Sequence, residues 1–217
     1  MTQNGVKLVD GTVRSFLDDL ASESPAPGGG SVAALAGALA GALVAMVGRL
    51  TLGRQKYAAV EADMRDLVGR AEKLRRRLTG LVDADTEAYN RVAAAYGLPK
   101  GSPEEKNARG EAIQAGLRAA AEVPLEVCRA CTEVLALAEH AAENGNTNAA
   151  SDAKVAALLA AAGFEGAAAN VAINLAAMND AEFRARAERA LQELRGKVGE
   201  HSSNVHESLA RRAGLPL

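Results

Sequence analysis

Residues Ser24–Leu50, SPAPGGGSVAALAGALAGALVAMVGRL, decide how this chain is read. Two prolines and three consecutive glycines lead into a stretch with no Asp, Glu, Lys or Arg between Glu23 and Arg49. Three readings compete: a phosphate-cradling loop, a membrane span, and a buried helix. The first fails on detail, because Gly28-Gly29-Gly30-Ser31 lacks the lysine of G-x-x-x-x-G-K-[ST] and no strand precedes it. The stretch is long enough to span a bilayer. Much of it, however, is Ala and Gly, which insert far less readily than Leu, Ile or Phe. No other segment resembles a span and no aromatic belt flanks this one. Ala33, Gly37, Ala38, Gly41, Ala45 and Gly48 recur at spacings of three and four, which gives one face where another helix backbone approaches closely. The segment therefore reads as a buried central helix from Ser31 or Gly30 to about Gly53. Its N-terminus exposes backbone N–H groups to an anion or polar ligand.

Composition supports helix throughout. Of 217 residues only 3% are aromatic, none is Trp, and Ala, Leu, Glu and Arg dominate, whereas a strand-rich chain needs more β-branched and aromatic residues. A formal net charge of -2 with interspersed signs argues against nucleic-acid binding by counterion release. A core of Ala, Leu and Val buries little area per residue, so a homodimer is expected to complete it. Asp10, Asp18 and Asp19 stand where a signal peptide would be apolar, so no export is expected.

Thr12 caps a short helix ending before Pro25. A long amphipathic stretch runs from after Tyr57 to Tyr96, and Gly97, Pro99, Gly101 and Pro103 mark a turn. Another helix spans Pro103 to Glu143, with a kink expected at Pro124. Thr147–Ala162 and Glu165–Met178 read as two helices broken at Gly163, and a charged helix from Asp180 to Ala213 closes the chain. The fold class is all-α, an antiparallel bundle of long helices forming one domain over 1–217. Cys128 and Cys131 have no second pair at zinc-ligand spacing and read as small buried side chains rather than a redox or metal pair. His140, His201 and His206 form no triad. Arg75-Arg76-Arg77 point to different helix faces and read as solvated arginines.

The motifs carry a resemblance. P-x-P-G-G-G-S (Pro25–Ser31), an Ala/Gly-rich helix, then L-T-x-G-x-x-K-Y (Leu50–Tyr57) resemble the formimidoyltetrahydrofolate cyclodeaminase / methenyltetrahydrofolate cyclohydrolase family. The likeness continues through DADTEAYNRVAAAYGLPK (Asp83–Lys100), EVPLEVCRACTEVLALAEHAAENGN (Glu122–Asn146), TNAASDAKVAALL (Thr147–Leu159) and GAAANVAINL (Gly166–Leu175). A-Y-G-L-P-K, C-R-x-C and G-N-x-N-x-x-S-D-A most resemble the stand-alone bacterial cyclohydrolase branch. Ala26 stands where the family commonly has Thr, and Gln55 where it often has Lys, which leaves one fewer cation for an anionic ligand. The resemblance implies a cytoplasmic homodimer acting on a tetrahydrofolate derivative, without metal, further cofactor, nucleic acid or membrane. The reaction is hydrolysis of 5,10-methenyltetrahydrofolate to 10-formyltetrahydrofolate. The alternative is cyclodeamination of 5-formiminotetrahydrofolate, and a non-catalytic folate- or partner-binding bundle is a third reading.

Each family reaction passes through a tetrahedral carbon between N5 and N10 and needs a base, a proton donor and negative charge near a cationic carbon. Asp85, four residues before Tyr89, is the first candidate. By residues alone it is also readable as a solvated acid beside Asp83 and Glu87; the resemblance favours the catalytic role. Asp152 and Ser151 begin a helix, where an acid also serves the dipole, and Asn148 shares a face with Asp152. Asn170 and Asn174, four apart in an apolar segment, either bond neighbouring helices or read the pterin edge. Lys56, beside Tyr57, is a surface lysine or a group that attracts the glutamate tail or polarises a reacting atom. With Gly28, Gly29, Gly30 and Ser31 as backbone donors, these residues are the expected site.

Overall fold

The computed structural model describes residues 7–214; residues 1–6 and 215–217, the ends of the domain read as 1–217, lie outside the described residues. Six α-helices follow one another: α1 (Val13–Leu20), α2 (Gly29–Thr51), α3 (Glu61–Tyr96), α4 (Pro103–Asn144), α5 (Ala150–Ala176) and α6 (Ala181–Ala213). Among the described residues there is no strand. The caps explain most boundaries. Thr12 accepts a hydrogen bond from the Ser15 amide, Ser102 and Glu105 form a reciprocal capping box with Pro103 in the first turn, and Asp180 accepts from the Phe183 amide. Gly214 ends α6 at a φ of 64°, in the left-handed region that favours glycine.

Small residues on α2 set the topology. Gly48, Gly41 and Gly37 lie against Val68, Arg75 and Leu78 in turn, so α3 returns antiparallel along α2. Gly37 also faces Cys131, while Val47 faces Gly145 near the end of α4, so α4 runs parallel to α2. Helix α5 returns again, with Gly163 on Ala33 and Gly37 at one level and Asn146, just before α5, bonded to the Leu50 carbonyl at the other. The core that results contains Ala34, Ala40, Ala45, Ala121, Ala138 and Ala160 at 0% exposure, wedged among larger Leu, Val, Met and Phe side chains. Helix α6 covers α4 and α5 through Leu191, Val198, Val205 and Leu209, with Arg195 pairing Glu165 and His201 bonded to Glu139.

The structure corrects three expectations. Gly163 does not break a helix: α5 is continuous from Ala150 to Ala176, and Thr147–Ala149 is a separate 3₁₀ turn. A Cβ at Gly163 would lie 2.8 Å from the Ala33 carbonyl oxygen and 3.2 Å from the Gly37 nitrogen. The glycine is there for the approach of two backbones, not for a bend. Pro124 lies inside one helix, Pro103 to Asn144, in agreement with the single helix read from the sequence. Helix α2 starts at Gly29 and ends at Thr51 rather than Gly53, which has a φ of 71° beyond the helix. Finally, Thr147–Ala176 is, like α2, long and apolar enough by length and composition to cross a membrane, so the membrane-like stretch is not unique. In this fold α2 and α5 pack against each other near its centre.

Both cysteines are fully buried, and burial pushes each thiol up to about 12, which fits the packing role read from the sequence. Arg75 and Arg76 pair with Glu72, and Arg77 with Glu126, all at the partly exposed surface, where such pairs contribute little.

The glycines separate cleanly by environment. Gly163→Ala is expected to destabilise by about 1–3 kcal/mol, because backbone atoms on both sides cannot yield. Exposed Gly69, mid-helix with nothing near its absent side chain, should gain roughly 0.5–1 kcal/mol as Gly69→Ala. Urea unfolding followed by circular dichroism checks both signs.

Candidate functional site

At the N-terminal end of α2 lies a cleft of about 280 Å³. The approach segment Pro25–Ala26 and Gly28–Gly30 form one wall. Asp85, Ala88, Tyr89 and Val92 of α3 form a second, and Ala120 of α4 with Asn170, Ile173 and Asn174 of α5 complete it. Polar and apolar groups therefore alternate around a space open on one side, as ligand clefts require.

Asp85 occupies the point where α3 crosses the start of α2. A Cβ on residue 30 would overlap its carboxylate, so only glycine at position 30 lets the acid sit over the helix end. The Ser31 hydroxyl lies 3.0 Å from Asp85 Oδ2, 3.0 Å from the Val82 carbonyl oxygen and 3.3 Å from Thr86 Oγ1. Burial raises the Asp85 pKa above its ordinary value, and the hydroxyl and amide of Ser31 pull it part of the way back. The partial positive charge at the start of α2 also favours the ionised form. Asp83, read from the sequence only as a neighbouring solvated acid, is instead buried and accepts the Leu8 amide at 2.7 Å. Its task is to hold the N-terminal segment on α3.

Of Asn170 and Asn174, only Asn174 bonds a neighbouring helix. Asn170 Nδ2 donates to the Gly166 carbonyl, and Asn174 Nδ2 to the carbonyls of Asn170 and Ala120. The Ala120 carbonyl is the one that Pro124, lacking an N–H, leaves without its helical donor, so Asn174 restores that bond from the next helix. With the amide nitrogens so engaged, both residues line the cleft with acceptor oxygens to offer.

The remaining expected residues lie at the other end of α2, which is about 34 Å long at 1.5 Å per residue. The buried Tyr57 hydroxyl accepts the Thr147 amide at 3.1 Å and lies 3.4 Å from Asn146 Oδ1 and Thr147 Oγ1. The bonds to Thr147 lower its pKa against the effect of burial, aided by Lys56. Lys56 is exposed with its Nζ 5.2 Å from the Tyr57 ring centroid. Asn148 and Ser151 are exposed and Asp152 is half-buried in the first turn of α5. Within one chain, then, the fold unites Gly28, Gly29, Gly30, Ser31, Asp85, Asn170 and Asn174, and separates them from Lys56, Tyr57, Asn148, Ser151 and Asp152. Sequence reasoning missed Tyr89, Val92 and Ile173 as cleft walls. Tyr89 was signalled by its spacing of four from Asp85; Val92 and Ile173 are indistinguishable from core positions until the open side of the bundle is known.

These features define an all-helical bundle with one carboxylate seated over a glycine-rich helix start. The chain belongs to the formiminotransferase-cyclodeaminase family, whose model matches residues 12–193. It is 51% identical over 189 residues to the methenyltetrahydrofolate cyclohydrolase of Methylorubrum extorquens, covering 87% of this chain and 89% of that one. It is 37% identical over 205 residues to the formimidoyltransferase-cyclodeaminase of Rattus norvegicus, covering 94% of this chain and 38% of that larger protein. The crystal structure of formiminotetrahydrofolate cyclodeaminase from Thermotoga maritima superimposes with a TM-score of 0.83 at 34% identity, covering 92% of this chain and 96% of that one.

Because the folded pKa of Asp85 is raised, ionising it costs stability. The cost is absent below the ordinary value of 3.8 and complete above the folded value. Asp85→Asn is therefore expected to unfold at a higher temperature than the wild type at neutral pH, with the gap closing below pH 3.8. Thermal unfolding at two pH values measures it.

Proposed function

We propose that this chain is a methenyltetrahydrofolate cyclohydrolase, hydrolysing 5,10-methenyltetrahydrofolate to 10-formyltetrahydrofolate. The observation that carries this reading is the position of Asp85: a half-buried carboxylate, the one acid among the described residues that lines the cleft, where a cationic one-carbon bridge needs both a counter-charge and a base. Its 51% identity to the Methylorubrum extorquens cyclohydrolase supports it.

Asp85 carries the proton at the reacting carbon. A water molecule adds to the methenyl carbon and gives a proton to Asp85, which leaves a neutral carbinolamine. The carbon–N5 bond then breaks, Asp85 returns its proton to N5, and the carbinol O–H proton passes to solvent as the formyl C=O forms. One water enters and one proton is released overall. Asp85 favours the cation electrostatically before it acts as base. The acceptor oxygens of Asn170 and Asn174 suit the amino and ring N–H donors of a pterin, Tyr89 and Ile173 flank its rings, and the free N–H groups of Gly29 and Gly30 suit its carbonyl. The reaction calls for no redox cofactor, since no electron changes hands, and for no metal to polarise the carbon, since the methenyl carbon is already cationic. The reading carries with it a cytoplasmic enzyme of one-carbon metabolism that acts without nucleic acid or membrane.

The complete site is proposed to be dimeric. Val32, Leu39 and Leu50 of α2 and Val155, Leu158 and Ile173 of α5 stay exposed along one side of the bundle, with Leu158 61% and Ile173 72% accessible. A second copy packed across this face about a two-fold axis, α2 against α2 and antiparallel, buries it on both protomers. The same rotation sets the Asp85 end of one protomer beside the Lys56 and Asp152 end of the other. Lys56 then lies near the tail of the substrate or its reacting group, Asp152 supplies a second proton site, and Asn148 and Ser151 add polar contacts, with Tyr57 holding the turn that presents them. The residue set expected from the sequence is reunited between two chains.

Cyclodeamination in the same cleft is the second reading, favoured by the likeness to the Thermotoga maritima structure. Purified protein given methenyltetrahydrofolate is expected to remove the methenyl chromophore well above the spontaneous rate, and to give no methenyl signal from 5-formiminotetrahydrofolate. The reverse pattern makes it a cyclodeaminase. Silence in both makes it a binding protein.

Asp85→Asn should lose about 100- to 10,000-fold in rate with the fold intact. Leu158→Arg should yield monomers by light scattering and no turnover. Subunits carrying Asp85→Asn and Lys56→Ala, each inactive alone, should recover activity when mixed. Failure to recover would sink the shared site while leaving the reaction class untouched.

A further inference from the structure

Thr86 has no part in the reading so far, yet its buried hydroxyl, 2% exposed, meets Ser31 and through it Asp85. Counting protons settles the direction of these bonds. Ser31 has one proton and three oxygen neighbours: the Val82 carbonyl, which only accepts, Asp85 Oδ2, and Thr86 Oγ1. If Ser31 donated to Thr86, the buried Thr86 proton would lose its partner, and Asp85 Oδ2 would face a Ser31 lone pair at 3.0 Å. Both cost free energy. Thr86 must therefore donate to Ser31, which keeps the Ser31 proton for Asp85 or Val82.

Those two acceptors correspond to the two protonation states of Asp85. When the carboxylate is ionised, the charge-assisted bond wins and Ser31 donates to Asp85 Oδ2. When Asp85 carries the proton on Oδ2, it donates to Ser31 Oγ, and the Ser31 proton rotates to the Val82 carbonyl. Every polar atom keeps a partner in both states, with Thr86 as the fixed donor throughout. We infer that Ser31 is a proton-coupled rotor and Thr86 the positioning residue that directs it, together letting Asp85 exchange a proton without leaving any buried group unpaired. Ser31, expected from the sequence to bind substrate, is assigned to the acid instead. Other ionisable groups intrude little. Among the described residues Tyr89 is the other titratable side chain on the cleft wall, Asp83 is turned to the Leu8 amide, Glu87 is exposed, and α2, α4 and α5 present no charged side chain to the cleft.

The inference rests on Asp85 as the acid/base of the proposed reaction, but its test needs no substrate. The Asp85 carboxyl carbon, labelled with 13C and assigned by its absence in Asp85→Asn, is titrated by NMR in the ligand-free protein. Thr86→Val keeps the side-chain shape and removes the donor, so Ser31 becomes a weaker donor to the anion. The midpoint is expected to move up in Thr86→Val, further up in Ser31→Ala, and back to the wild-type value in Thr86→Ser. A midpoint in Thr86→Val equal to that of the wild type, or one that Thr86→Ser does not restore, overturns the inference. If Thr86→Val does not fold, an unshifted midpoint in Ser31→Ala does so instead. An enzyme silent on folates whose midpoints follow the expected order would overturn the proposed reaction and leave the rotor standing.

Discussion

The structure depends on how closely the backbone of α2 is approached by its neighbours. At Gly37 and Gly163 the main chains of α2 and α5 lie so near that a single methyl at Gly163 would press on the Ala33 carbonyl. At Gly41 a Cβ would meet the Arg75 backbone at 3.4 Å. Dispersion falls off steeply with distance, so these short separations let an Ala-rich core gain what larger side chains supply elsewhere. The same geometry makes the site. Gly30 is one more close approach in the series, except that a carboxylate rather than a backbone fills the space.

Seating Asp85 there sets up opposed forces. Removal from water favours the protonated acid, while the Ser31 hydroxyl and the positive end of α2 favour the anion. A general acid/base is most useful when neither wins outright. The nearby asparagines are held with similar economy. Pro124 withholds a donor from the Ala120 carbonyl, Asn174 supplies it, and the amide is oriented as a consequence. A proline that reads as a kink in the sequence is in effect part of the cleft.

Separation of the expected residues into two ends of one chain, joined by an exposed apolar side, gives the fold and the chemistry a common logic. In the proposed dimer, burying that side about a two-fold axis would complete the hydrophobic core and the polar site in one step. The length of α2 fixes how far apart the two sites of such a dimer would lie.

Much was legible in the chain itself. Small-residue spacing along α2, the cap at Thr12, the turn signals from Gly97 to Pro103 and the lack of strand formers determine an antiparallel helical bundle. They are local properties of backbone entropy and side-chain size. The Gly28–Ser31 motif, Asp85, Asn170 and Asn174 stood out as candidates because polar groups in apolar helices need partners, and the fold gathers them around one cleft. Tertiary structure alone decided what those partners are. Gly163 reads as a breaker until α2 is laid against it, since glycine permits both a bend and a close contact. Asp83 and Asp85, two apart and alike in sequence, part company because a helix turns about 200° between them: one is spent on the Leu8 amide and the other faces the cleft. Thr86 is one more helix residue until the Ser31 hydroxyl arrives from another helix, because the direction of a hydrogen bond is set by the partners that packing provides.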